Sequence, residues 1–124
     1  MASLSNSAAV NFGTLTAGAN VVVSHYVLRF GTHVAVSKTL QTQRTFVAGD
    51  AMVIAPGDLT LNSPNGDGQG TWLVQMYTDH IATQGNPTAS IHTGAPGGSF
   101  TANEVPTSRG YSRQTITPTL SASD

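Results

Sequence analysis

The sequence predicts a mainly β fold, a small antiparallel β-sandwich or partly closed barrel, with one short helix as an option over 71–82. Three observations carry that expectation. Apolar stretches are short and rich in β-branched and aromatic residues, with Val21–Phe30 the longest. Gly- and Pro-centred turns punctuate them at close intervals, as at Ala48-Gly49-Asp50 and Pro56-Gly57-Asp58. No repeat, charge block or low-complexity tract divides the chain, so its 124 residues suit a single domain over 1–124.

The elements follow in order. Ala8–Phe12 is a short apolar stretch closed by Gly13, and Ala17–Asn20 supplies turn residues. Val21–Phe30 reads as a long strand. Gly31 and Thr32 break it before His33–Ser37 continues, which fits either a hairpin or one strand with a bulge at Gly31. Leu40–Val47 is a further strand candidate. Ala51–Ala55 and Leu59–Leu61 each follow a tight turn. Pro56 fixes φ at the first corner of the second turn, and Gly57 can take the positive φ of a type II turn. Asp50 and Asp58 read as turn residues whose carboxylates bond nearby amides. Ser63–Gly70, SPNGDGQG, is the clearest loop.

Thr71–Ala82 fits two patterns. Trp72, Leu73, Met76, Tyr77 and Ile81 fall on one helical face, with Thr71 able to cap it. Trp72, Val74 and Met76 also fit a strand face. Gly85-Asn86-Pro87 ends the segment in either case. Ala89–His92 is a short strand, Gly94–Gly98 a turn-rich loop, and Gln114–Leu120 a final strand. Pro118 lacks a backbone donor, so that strand lies at an edge or ends there.

Composition narrows the function classes. There is no cysteine, which removes disulfides, thiolate metal sites and Cys nucleophiles. Charged residues make up 9% and the net charge is −1, so no basic stripe points to nucleic acid. A surface of Thr, Ser, Asn and Gln has little charge to repel a neighbour and suits a subunit packed in an assembly. No apolar run approaches the ~20 residues of a membrane helix. The N-terminus lacks the basic and apolar regions of a secretory signal.

Catalytic and metal-binding patterns are weak. His25, His33, His80 and His92 form no metal-ligand spacing, although His25 and His33 could approach across neighbouring strands. Ser99 follows two glycines but lacks the last Gly of a nucleophile elbow. The acids, with Glu104 the single Glu, offer no acid pair of evident design. Asn65–Gly68 lacks the remaining ligands of a calcium loop. GAPGGSFTA has no Lys and opens no helix, so it is not a phosphate loop. Glu104 and either Arg109 or Arg113 could instead form an ion pair that pins the segment between them.

Three words stand together near the C-terminus: IHTGAPGG at 91–98, ANEV at 102–105 and GYSRQTIT at 110–117. With VSHYVLRFG at 23–31, QRTFVAGD at 43–50 and MVIAPGDLTL at 52–61, this set resembles a bacteriophage tail-fibre-type virion protein family. The two blocks stand in reversed order, as in a circular permutation. That order implies that the chain ends lie close together, within one subunit or between neighbours. The resemblance also favours a helix just before the His-Thr phrase. It marks His92, Pro96, Gly97, Glu104, Arg113 and Gln114 as structural or interface residues, with His92 fixing its loop.

The function implied is a non-enzymatic virion protein, assembling on the particle as capsid decoration or tail-fibre-type subunit. Its partners would be other copies, as a homotrimer or another symmetric oligomer, and capsid or tail proteins. No cofactor, metal, nucleic acid or membrane is expected. A carbohydrate- or receptor-binding module is the alternative, with Trp72, Tyr77, Tyr26 and Tyr111 as aromatic platforms. A small hydrolase is the third.

Overall fold

A computed structural model describes residues 2–32, 34–62 and 70–122. The expected loop over 63–70 falls, apart from Gly70, outside the described residues, as do its NGDG segment and His33. The fold is mainly β, a small sandwich of antiparallel sheets with one short helix.

The strands are β1 (Ala2–Asn6), β2 (Val10–Thr14), β3 (Val21–Phe30), β4 (Val34–Phe46), β5 (Ala51–Ile54), β6 (Thr60–Asn62), β7 (Thr88–His92), β8 (Gln114–Thr115) and β9 (Pro118–Ala122). The helix α1 spans Gly70–Gln84, and a 3-10 turn covers Thr107–Arg109. The sheets run β6-β1-β9, β2-β5 and β4-β3-β7-β8.

Alternation along the strands builds the core. In β1, Ala2, Leu4 and Asn6 are buried while Ser3 and Ser5 are half-buried. Leu4 and Leu61 from the first sheet, Phe12, Met52 and Ile54 from the second, and Tyr26, Leu28, Phe30 and Ile91 from the third form one apolar cluster. Burying such side chains stabilises the fold by roughly 1.5–3 kcal/mol each before entropy is counted. The Tyr26 hydroxyl donates to the Thr60 carbonyl and so links the largest sheet to β6. Asn6, also buried, accepts from the Leu59 amide (3.0 Å) and donates to the Ala8 and Ala55 carbonyls. One polar side chain thereby satisfies the backbone where three segments meet.

Several sequence expectations resolve here. Gly31 and Thr32 turn a hairpin, since Phe30 pairs with Val34. The two strands expected over 33–47 are a single strand, β4. Its register against β3 shifts between Val23 and His25, whose partners are Arg44 and Thr39. The expected gap at Lys38–Thr39 is continuous strand, and the irregularity lies just after it, between Thr39 and Arg44. The turn at Ala55–Asp58 has Gly57 at φ 83° and a 3.2 Å bond from the Asp58 amide to the Ala55 carbonyl. Asp50 caps its own turn by accepting from the Val47 amide at 2.9 Å. Asp58 does not act in that way: its carboxylate pairs with Arg44 at 2.8 Å.

Thr71–Ala82 is helical. The helix spans Gly70–Gln84, so Thr71 lies in its first described turn. It stops at Gly85, whose φ of 84° and bond to the Ile81 carbonyl form a left-handed C-terminal cap. The final strand divides at Pro118. Gln114–Thr115 pairs with β7, whereas Pro118–Ala122 pairs with β1 at the edge of another sheet. Proline opens that edge strand, where its missing N–H breaks no ladder of a central strand. Ala2 and Ala122 are direct register partners, so the two ends of the described chain lie side by side within one subunit.

Candidate functional site

The four-stranded sheet is covered on both faces. Tyr26, Leu28 and Phe30 of β3 point into the core. The alternate residues His25, Val27 and Arg29 pair with His92, Ser90 and Thr88 of β7. Val27, Ser90 and His92 are fully buried, so this second face is sealed as well. The seal is the segment that follows β7. It starts with a bridge between His92 and Glu104 and with bonds from the Thr93 amide to the Asn103 carbonyl (2.8 Å) and from the Val105 amide to the Ile91 carbonyl (3.1 Å).

Within this seal the polar groups form a directed chain. A carbonyl can only accept, so His92 carries its proton on Nδ1 and donates to Ala102 O at 2.8 Å. His92 Nε2 then accepts from Ser90 Oγ at 2.7 Å. Ser90 Oγ in turn accepts from Arg29 Nη1 at 2.6 Å, and Arg29 Nη2 donates to the Phe100 carbonyl. Burial, partly offset by the bond to Ala102, holds the His92 pKa below its ordinary value and keeps the ring neutral. Burial and the neighbouring Arg113 lower that of Arg29.

A second set centres on Glu104. Arg113 donates to it through two nitrogens, Nε to Oε2 at 2.9 Å and Nη2 to Oε1 at 2.8 Å. This is the bidentate geometry that makes Arg–carboxylate pairs strong. The buried Tyr111 hydroxyl donates to the same Oε2 at 2.6 Å and accepts from the Ile91 amide at 3.4 Å. Burial acts to raise the Glu104 pKa, but the bonds from Arg113 and Tyr111 outweigh it and the net shift is downward. Tyr111 also stacks on Phe12 with ring centroids 6.0 Å apart.

Five of the six residues singled out from sequence meet in this region. Glu104 pairs with Arg113, and His92 fixes the loop through Ala102. Pro96 is buried and its carbonyl accepts from the Ala102 amide at 3.0 Å. Gly97, at φ 71°, turns the chain so that its carbonyl accepts from Phe100. Gln114 stands apart: its side chain reaches only Ser112 Oγ at 3.1 Å, while its backbone pairs with Ala89. Arg109, the other proposed partner of Glu104, instead donates to the Thr16 and Ala19 carbonyls. Its loop packs where Gly13 leaves room. A Cβ there would stand 2.0 Å from the Gly110 carbonyl oxygen.

Sequence reasoning missed Ser90 and Arg29. The signal for Ser90 was its i, i+2 spacing to His92 on a strand, which places both on one face. Ser90 and His92 have the contact of a nucleophile and base, yet both are fully buried and Ser90 Oγ also accepts from Arg29. A substrate has no path to that hydroxyl in this conformation. Among the described residues, no three His, Cys, Asp or Glu cluster as a metal site. His25 has His92 and Thr39 as register partners and its Nδ1 lies 2.8 Å from Ser24 Oγ; the expected approach to His33 lies outside the described residues.

Beside the cluster lies a groove of about 490 Å³, lined by Arg29, Arg113, Gly31, Thr32, Ser99 and Phe100 among others. Of the aromatic platforms considered, Tyr26 and Tyr111 are buried and Tyr77 stacks on Phe30. Trp72 on α1 is 62% exposed. Comparison with protein-family models, curated proteins and solved structures finds no match for this chain.

Proposed function

We propose that this protein is a non-enzymatic virion module that assembles on a bacteriophage particle through contacts with copies of itself and with capsid or tail proteins. The observation that carries the reading is the convergence of the three C-terminal words. IHTGAPGG, ANEV and GYSRQTIT form one cluster through His92–Ala102, Glu104–Arg113 and Tyr111–Glu104. Their residues act on each other as a structural unit, which fits a role in architecture rather than catalysis. The pairing of Ala2 with Ala122 is the geometry that the reversed order of the blocks requires.

The surface suits assembly. Strand β4 is a long edge strand whose exposed residues are mainly Thr and Gln. Trp72 stands out from α1, and an exposed Trp is a frequent anchor of protein interfaces.

The test is co-sedimentation of the purified protein with intact phage particles, followed by immunogold microscopy. Gold over the head assigns decoration, and gold at the tail assigns a fibre-type subunit. A monodisperse monomer by light scattering that binds neither heads nor tails sinks the proposal.

A second reading, a carbohydrate-binding module, rests on Trp72 alone among the aromatic candidates. Glycan arrays separate the two: glycan binding that is lost in a folded Trp72→Ala variant is expected only for the carbohydrate module.

A further inference from the structure

The groove beside the polar cluster brings together two guanidiniums, Arg29 and Arg113, with hydroxyl and apolar surface. Arg29 is half-buried, yet its hydrogen bonds go to two neutral oxygens, Ser90 Oγ and the Phe100 carbonyl. Among the described residues no carboxylate pairs with it, whereas Arg44 and Arg113 each hold one. No described carboxylate bonds this half-buried guanidinium directly, and the attraction of nearby Glu104, which Arg113 already engages, is outweighed by burial and by repulsion from Arg113.

Arg113 lines the same groove. It engages Glu104 through one edge of its guanidinium, and its side chain remains 41% exposed. Two guanidiniums and one carboxylate leave a single net positive charge at this spot, with His92 held neutral behind it. Phe100 sits at φ 60°, a conformation costly for a bulky residue, and its carbonyl is turned onto Arg29. Ser99 and Thr32 add hydroxyls at the rim, and Val34, Ala35 and Phe100 add apolar surface. A concave site of this size, with apolar walls and a few convergent polar groups, has the make-up of a small-molecule site.

We propose that this groove binds a small monocarboxylate, its carboxylate set between Arg29 and Arg113 and its body against Phe100 and Ala35. One net positive charge matches one carboxylate, and the planar guanidinium fork matches its geometry. The proposal is independent of the virion reading, because a ligand site on this face is compatible with assembly through other surfaces.

Amide chemical-shift titration of the full chain tests it, with glucuronate and acetate as carboxylate probes, glucose as the neutral control and inorganic phosphate as the tetrahedral anion. The expected result is saturable shifts at Thr32, Ala35, Ser99, Phe100 and Arg113 with a carboxylate probe, and none with glucose. Arg29→Gln should weaken the affinity about tenfold or more, the loss expected for a charge-assisted bond. Ala35→Glu places a carboxylate in the groove without touching the Ser90–His92 chain. It should abolish binding in a folded protein and so serves if Arg29→Gln does not fold. Shifts that do not saturate, an equal response to glucose, tighter binding of phosphate than of either carboxylate, or unchanged binding in folded Ala35→Glu would each overturn the proposal.

Discussion

The segment over the outer face of the four-stranded sheet and the helix α1 are both appendages to the sandwich, but they are attached by opposite means. The segment from Thr93 to Arg113 is held by directional bonds: His92 to Ala102, Arg29 to Phe100, Tyr111 and Arg113 to Glu104. Helix α1 is held by side-chain packing. Only Gly70 of its residues is fully buried, and Tyr77 stacks on Phe30 at 6.0 Å. Directional bonds between buried groups are costly to leave half-made, whereas a partly exposed apolar contact can be weakened by degrees. The first region should therefore respond sharply to single changes and the second gently.

The largest effect is expected at His92. His92→Ala removes a fully buried ring and leaves Ser90 Oγ and the Ala102 carbonyl each short of a partner. The expected loss is about 3 kcal/mol, from the cavity and the unpaired groups together. Urea unfolding of both proteins measures it. A loss no larger than that of Tyr77→Ala in the helix would erase the contrast between the two regions.

Acid should act on the same region. The folded-state pKa of His92 is depressed below 6.5 by burial, so the unfolded chain takes up the proton first. His92 therefore contributes stability that is fully present above pH 6.5 and is lost as pH falls through its folded pKa. Glu104, also depressed, from 4.5, contributes stability that is present above that value and is lost below it. Both slopes have the same sign, and neither can exceed about 1.4 kcal/mol per pH unit for one proton. Unfolding midpoints between pH 7 and 5 should fall in the native chain and stay flatter in His92→Gln. Equal slopes would remove His92 as the source.

The two regions also differed in how much of them the sequence disclosed. A Glu104–Arg113 pair was legible because few charges exist to pair, although Arg109 was open as the partner, and the loop-fixing role of His92 was legible from its place beside Thr93 and ahead of the Pro96-Gly97 turn. Arg29 and Ser90 were not legible. Their importance arises only when β3 and β7 pair in register and bring residues 29 and 90 together. Strand β1 went unseen because a single Leu among Ser and Ala gives a faint alternation, although it becomes the centre of its sheet. For α1 the periodicity fitted both a helix and a strand. Its half-exposed apolar residues explain why, since no face of it is buried strongly enough to impose one period. In β4, the gap left between Ser37 and Leu40 is bridged because the strand lies at an edge, where polar residues stay exposed and a register shift is tolerated.

Moving the chain ends probes the helix attachment. Ala2 and Ala122 pair directly, so a short linker can join the termini, and new ends can open between Gly85 and Asn86, exposed residues after α1. This permutant places the IHTGAPGG block ahead of VSHYVLRFG. It cuts the covalent link between α1 and β7 but none of the bonds around Glu104. A cost of about 1–2 kcal/mol is expected, within the range of single mutations, with the far-ultraviolet spectrum kept. Collapse of the fold would show that the tie from α1 to β7 carries more of the stability than its packing suggests.

The smallest effect on folding should come from Trp72→Ala. The side chain is 62% exposed and touches little that folding buries, so the change in unfolding free energy should stay within about 0.5 kcal/mol. An exposed Trp on a gently held helix contributes through what docks onto it. On the virion reading proposed above, the same variant should lose affinity for phage particles by about tenfold or more, the usual consequence of truncating an interface anchor. Full particle binding together with unchanged stability would move the docking surface away from α1 and toward the β4 edge. A stability loss like that of His92→Ala would mean that the helix belongs with the bonded region, and the contrast drawn between the two would fail.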